Sequence, residues 1–234
     1  LIEEAKWAGA DAVKFQLWEP RDIWNGEGDH PFWAEERFGK IPVASLVKEA
    51  HSYALDFICT PFSDAAVTEL WEHVDAWKIS SCETLCHYTN RILTDDRASI
   101  LSLGRTDTLS NWEMRADALL HCITDYPATP ESCHLSRIPQ LYKEHNCVGW
   151  SSHTGPAILC DELAVAAGAK IVEKHLKLDM HEQPETPDSG RHSVPPGLFK
   201  LMVQRIRKVE EIMGKGEFKP QPMANPRRLV GARP

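Results

Sequence analysis

Lys14 and Lys78 each stand in the middle of an apolar stretch, where a buried ammonium is costly unless something anionic meets it. Lying on different stretches, they can converge on one phosphate or carboxylate, with the hydroxyls of Ser81, Ser102 and Ser151 as further donors. An equally open reading pairs them with Glu83 or Glu173 in salt bridges. His153 and His175 close two later apolar runs, and Asp188 follows in a polar loop. Two imidazoles and a carboxylate suit a divalent metal, whereas each histidine taken alone reads as hydrogen-bonded structure. Gln16, Thr60, Glu83, Thr124 and Tyr126 complete the polar residues at or near the ends of such runs.

These residues need elements that bring them to one place. Short β-rich runs occur at residues 13–17, 57–62, 76–80, 99–102, 118–124, 148–151 and 170–176. Between most of them apolar residues recur at three- and four-residue spacing, as in Val43, Leu46, Val47, Ala50 and Ala54, which marks amphipathic helices. Alternation of strand and helix predicts a parallel α/β sheet of right-handed βαβ units. Strands start about every 26 residues, and neither GxGxxG nor GxxxxGK[ST] follows any of them, so a (β/α)8 TIM barrel is preferred to a doubly wound sheet. In a barrel, strand ends at the C-terminal face carry the chemistry. Side-chain alternation then puts Lys14 with Gln16, Ser151 with His153, and Glu173 with His175 on shared faces.

The chain opens on a helical pattern, residues 1–8, so the barrel is expected to be truncated and to lack strand one. A closing helix is predicted over residues 196–213, with Phe199, Met202, Val203, Ile206, Val209 and Met213 along one stripe. Residues 215–234, with four prolines and five Lys or Arg, have linker composition. The link from Ser102 to Ala118, fifteen residues, leaves room only for a short helix near residues 109–114. The long excursion over residues 18–42, with Trp18, Trp24, Phe32 and Trp33, reads as a packed loop or a lid.

At 234 residues, with 42% hydrophobic and 26% charged residues, the chain has the composition of a folded globular protein. A net charge of −8 argues against nucleic-acid binding over a broad phosphate-neutralising face. No apolar run approaches a bilayer span, so no membrane partner and a cytoplasmic location are expected. The seven cysteines form no CxxC pair and read as reduced packing residues. HExxH, GxSxG and the N-x-[ST] sequon are absent, which removes the common zinc-protease and serine-hydrolase readings. His121, inside its strand run, reads as structural.

Seven motifs in order carry a resemblance. They are residues 8–16 (AGADAVKFQ), Thr60-Pro61-Phe62, Lys78-Ile79-Ser80-Ser81, Leu120-His121-Cys122, Tyr126-Pro127, Ser151-Ser152-His153-Thr154 and Glu173-Lys174-His175. Over residues 1–214 the chain resembles the N-acetylneuraminate (sialic acid) synthases, a group that includes legionaminate, pseudaminate and spore-coat sugar synthases. The resemblance implies a (β/α)8 barrel that condenses phosphoenolpyruvate with an N-acylhexosamine of the N-acetylmannosamine type, giving a 2-keto sugar acid and phosphate. It implies that Lys14, Lys78, Ser81, Ser102 and Ser151 bind phosphoenolpyruvate, and that His153 and His175 hold a divalent metal, manganese being the expected ion. It places Glu83, Tyr126 and Asp188 around the sugar and the reacting atoms as catalytic groups, with Gln16, Thr60 and Thr124 among the substrate-binding set.

Several positions depart from that pattern. The usual S-D-H-T is S-S-H-T here, with Ser152 replacing a carboxylate that could orient the histidine, and S-T-G-M is Ser102-Leu103-Gly104-Arg105. Thr124 occupies a place often held by Asn. The family's N-terminal strand and its antifreeze-like C-terminal domain have no counterpart, so residues 1–214 are read as an incomplete barrel domain and 215–234 as a linker. A homodimer is expected of the full-length protein. These 234 residues alone are expected to be inactive and aggregation-prone. A non-catalytic barrel that binds a sugar or phosphate is the alternative from a different class.

Overall fold

A computed structural model describes residues 1–19, 22, 41–81, 86–104, 113–178 and 190–214. The excursion at 23–40, most of the short link at 105–112 and the tail at 215–234 lie outside the described residues. Helix α1 (Ile2–Ala8) leads into strand β1 (Ala12–Leu17), followed by α2 (Val43–Ser52) and β2 (Asp56–Pro61). Next come α3 (Asp64–Leu70), β3 (Ala76–Ile79), α4 (Thr89–Ile92), β4 (Ala98–Leu103) and β5 (Ala118–Cys122). The chain continues through α5 (Arg137–Leu141), β6 (Val148–Ser152), α6 (Leu159–Ala166), β7 (Val172–Lys174) and α7 (Pro196–Met213).

All seven strands join one parallel sheet in sequential order, β1 to β7, as expected of repeated right-handed crossovers. Every predicted strand is present, with ends that move by a residue or two. β7 is shorter than its apolar run because Leu176 makes only an isolated bridge, to Val194 ahead of α7. Between β4 and β5 the described chain holds a single 3-10 turn, Glu113–Arg115.

The two faces of the sheet differ in character because side chains alternate along each strand. Phe57, Cys59, Trp77, Ile79, Leu101, Leu103, Leu119, Val148 and Trp150 form the buried core with the helices. Burying each of the large ones contributes about 2 kcal/mol relative to exposure. The alternate positions, among them Lys14, Lys78, Ser102, Cys122, Ser151 and Glu173, turn to the opposite side and line one cavity. The core therefore fixes a rigid outer layer from which the polar inner residues project.

Packing of α1 and α6 against α7 closes the outer layer near β1 and β7. Gly9 ends α1 in the left-handed region, φ 92°, and sits so close to α7 that an added Cβ would lie 3.2 Å from Val203. Among the described residues no helix is long and apolar enough to cross a membrane.

Candidate active site at the strand ends

One cavity at the C-terminal ends of the strands collects most of the residues singled out above. Lys14, Gln16, Thr60, Lys78, Ser81 and Ser102 line it from β1 to β4 and their exits. Tyr126, Ser151, His153 and His175 line it from the other half. Thr124 does not line it: β5 stops at Cys122, and the Thr124 methyl lies against Gly104, where an added Cβ would approach it to 2.5 Å. Glu83 and Asp188 lie outside the described residues.

The lysines meet an anion, and in this structure it is Glu173. Lys14 Nζ donates to Glu173 Oε1 at 2.9 Å, Ser151 Oγ donates to the same oxygen at 3.0 Å, and Lys78 Nζ lies 4.0 Å from Oε2. Lys78 also donates to Ser102 Oγ at 2.8 Å and to the Ile79 carbonyl at 3.0 Å. Burial disfavours a charged Glu173 carboxylate, but Lys14 and Lys78 outweigh it and hold the group below the usual carboxylate range. Burial pushes the Lys78 ammonium down to about 8, opposed by Glu173 and assisted by Lys14.

The histidines stand beside this charged cluster. The His153 and His175 ring centroids are 5.3 Å apart, and Tyr126 stacks on His153 at 4.0 Å while 54% of it is exposed at the mouth. His153 Nδ1 donates to the Ile123 carbonyl at 2.6 Å, which fixes its tautomer with the lone pair on Nε2. Burial first, and then the charge of His175, push the His153 pKa down to about 3, so its ring is neutral at ordinary pH. Among the described residues no group of three or more His, Cys, Asp or Glu side chains is arranged to hold a metal ion.

Glu173 was foreseen only as one of two salt-bridge partners for the lysines, and neither Cys122 of the cavity lining nor the neighbouring His192 was a sequence candidate. Glu173 had a signal, since it alternates with His175, but its central place among three partners depends on strand order. His192 had none: it arrives from the segment after β7, buried, with its ring 4.6 Å from His175 and 5.0 Å from Tyr126. Cys122 lies 3.9 Å from His153 Nδ1, and burial pushes its thiol up to about 11. His121 turns the other way, into the helix layer, where Nε2 donates to the Cys133 carbonyl at 2.7 Å, in keeping with a structural role.

A curled parallel α/β sheet with a polar cluster at its strand ends defines a TIM-barrel-like protein of the kind whose chemistry lies at that face. The sequence matches the NeuB family over residues 1–218, and the chain belongs to that family. The protein MJ1065 of Methanocaldococcus jannaschii is 34% identical over 95% of this chain and 68% of its own length. N,N'-diacetyllegionaminic acid synthase of Legionella pneumophila is 29% identical over 98% of this chain and 72% of that protein. The crystal structure of N-acetylneuraminic acid (sialic acid) synthetase from Leptospira borgpetersenii, solved with citrate, superposes with a TM-score of 0.79 at 26% identity. It covers 94% of this chain and 80% of that one. The Legionella and Leptospira proteins are sugar-acid synthases.

Proposed function

We propose that the protein condenses phosphoenolpyruvate with an N-acylated hexosamine to give a sialic-acid-like 2-keto sugar acid and phosphate. The observation that carries the reading is the convergence of Lys14 and Lys78, from different strands, beside the paired rings of His153 and His175 in one cavity. Membership of a family containing sugar-acid synthases supports the same chemistry.

In this reading Lys14, Lys78, Ser81, Ser102 and Ser151 hold the anionic groups of phosphoenolpyruvate. Glu173 keeps Lys14 and Ser151 turned toward the cavity and gives way as the ligand enters. The donor set fits a divalent metal: two imidazoles side by side, one of them locked as a neutral ligand by its bond to Ile123. Manganese, the expected ion, supplies Lewis-acid polarisation of the sugar aldehyde when bound to His153 and His175. Tyr126, stacked on His153 at the mouth, guides the sugar, with Gln16, Thr60 and Asp188 as its other contacts.

The enol carbon of phosphoenolpyruvate bonds to the aldehyde carbon, whose oxygen takes up a proton. Water adds at the central carbon, and the bond from that carbon to the bridging oxygen breaks, so phosphate leaves with that oxygen. Glu83 is the proposed base for the water. Fixing both reactants against one rigid sheet is the main catalytic contribution of the lysines and hydroxyls.

The acceptor is read from a panel of N-acylhexosamines incubated with phosphoenolpyruvate, manganese and the full-length gene product. Phosphate and a 2-keto acid formed in equal amounts with one acceptor support the proposal. Binding of phosphoenolpyruvate without turnover of any acceptor would favour a non-catalytic binding barrel.

A further inference from the structure

Behind the cavity, on the helix side of the same two strand ends, lies a second charged cluster. Lys174 and Asp161 form an ion pair at 3.1 Å with both side chains fully buried. The three ammonium hydrogens of Lys174 go to Asp161 Oδ2 at 3.1 Å, Ser152 Oγ at 2.9 Å and Thr154 Oγ1 at 3.1 Å. Trp150 Nε1 donates to the other Asp161 oxygen at 3.1 Å, so the carboxylate is tied to β6 as well.

The placement of these groups matters more than their number. His153 is the residue between Ser152 and Thr154, and His175 is the residue after Lys174. One ammonium on β7 therefore grips the residues on both sides of His153, while α6, through Asp161, anchors the ammonium. Alternation turns Ser152 and Lys174 outward just as it turns Ser151 and Glu173 inward. The inner bond from Ser151 to Glu173 and the outer bond from Lys174 to Ser152 thus join the same two strand ends from opposite faces. An ion pair removed from water contributes little net stability compared with apolar packing, but it fixes direction and distance through its hydrogen bonds.

We infer that Lys174 and Asp161 are positioning residues that set the spacing of the His153 and His175 imidazoles. This inference rests on the proposed metal-binding role of those two histidines. Groups supporting metal ligands typically change metal affinity 10- to 100-fold when removed.

The test is a manganese titration of the full-length protein, read by the electron paramagnetic resonance of the free ion. Removing one member of the pair would strand a buried charge, so the principal variant is the double replacement Lys174→Met with Asp161→Leu, which removes both charges together. It should melt cooperatively near the wild-type temperature and bind manganese at least about tenfold more weakly. Thr154→Val, which deletes one acceptor of Lys174, should weaken binding in the same direction and serves if the double variant does not fold. Wild-type affinity in the folded double variant, or in Thr154→Val if only that variant folds, overturns the positioning role. His153→Ala is the control: if it too binds like wild type, the metal assignment has failed and the positioning role falls with it.

Discussion

Lys14 on β1 and Glu173 on β7, 159 residues apart in sequence, meet at 2.9 Å across the concave side of the sheet. The contact joins the two edge strands of the sheet, which among the described residues are not hydrogen-bonded neighbours. It also means that a ligand anion entering the cavity competes with a resident carboxylate for Lys14. Affinity is then a difference between two anions.

Lys78 is the more telling of the two lysines because its ammonium is fully buried, donates to Ser102, and lies only 4.0 Å from Glu173. Lys78→Met should weaken phosphoenolpyruvate binding by at least about tenfold, near 1.4 kcal/mol, measured by calorimetric titration. Binding should also fall as pH rises through about 8, where free Lys78 loses its proton. Unchanged affinity in both Lys14→Met and Lys78→Met would leave the cluster as a structural salt bridge only.

His153 and His175 should bind one divalent ion together. Alanine at either position should abolish stoichiometric manganese binding in equilibrium dialysis of the full-length protein. Two single variants with wild-type metal content would remove the assignment.

The strand positions were legible from β-rich apolar runs, the strand-end cavity from the geometry of a barrel, and the shared facing of Ser151 with His153 and of Glu173 with His175 from the period of two along a strand. Thr124 stands outside the cavity lining because the apolar run continues past Cys122 but the strand pairing does not. Ser152 suggested the loss of an orienting carboxylate. Asp161 brings a carboxylate from α6 to Lys174 behind the same strand ends, through a contact between helix and sheet that no spacing in the sequence encodes. His192 escaped notice likewise, since the bridge of Leu176 to Val194 that brings its segment back is tertiary.

Stability should fall in mild acid because of His121. Burial is the main cause that pushes its pKa down to about 4, from near 6.5 when exposed. Between those values the unfolded chain binds the additional proton, so the contribution of the neutral ring is fully present above pH 6.5 and lost as pH falls toward 4. The loss is on the order of 3 kcal/mol. Urea melts of wild type and His121→Leu from pH 7 to 4.5 should converge as pH falls; parallel profiles would refute this origin.

Gly155 leaves β6 with φ 55°, and an added Cβ would lie 2.2 Å from the Arg191 carbonyl oxygen. Gly155→Ala must therefore move the segment that carries His192 or distort the exit from His153. A loss of about 2 kcal/mol or more in thermal or urea unfolding is expected. A variant within 0.5 kcal/mol of wild type, by the approximate scale of neutral surface changes, would show that this approach is loose in solution.

The proposed condensation is tested most directly by the fate of the bridging oxygen of phosphoenolpyruvate. The full-length protein is incubated with manganese, an N-acylhexosamine acceptor and phosphoenolpyruvate carrying heavy oxygen at that bridge, and the released phosphate is weighed by mass spectrometry. The account predicts phosphate that retains the heavy oxygen and appears only when both metal and acceptor are present. Unlabelled phosphate, or labelled phosphate released without an acceptor, would contradict it.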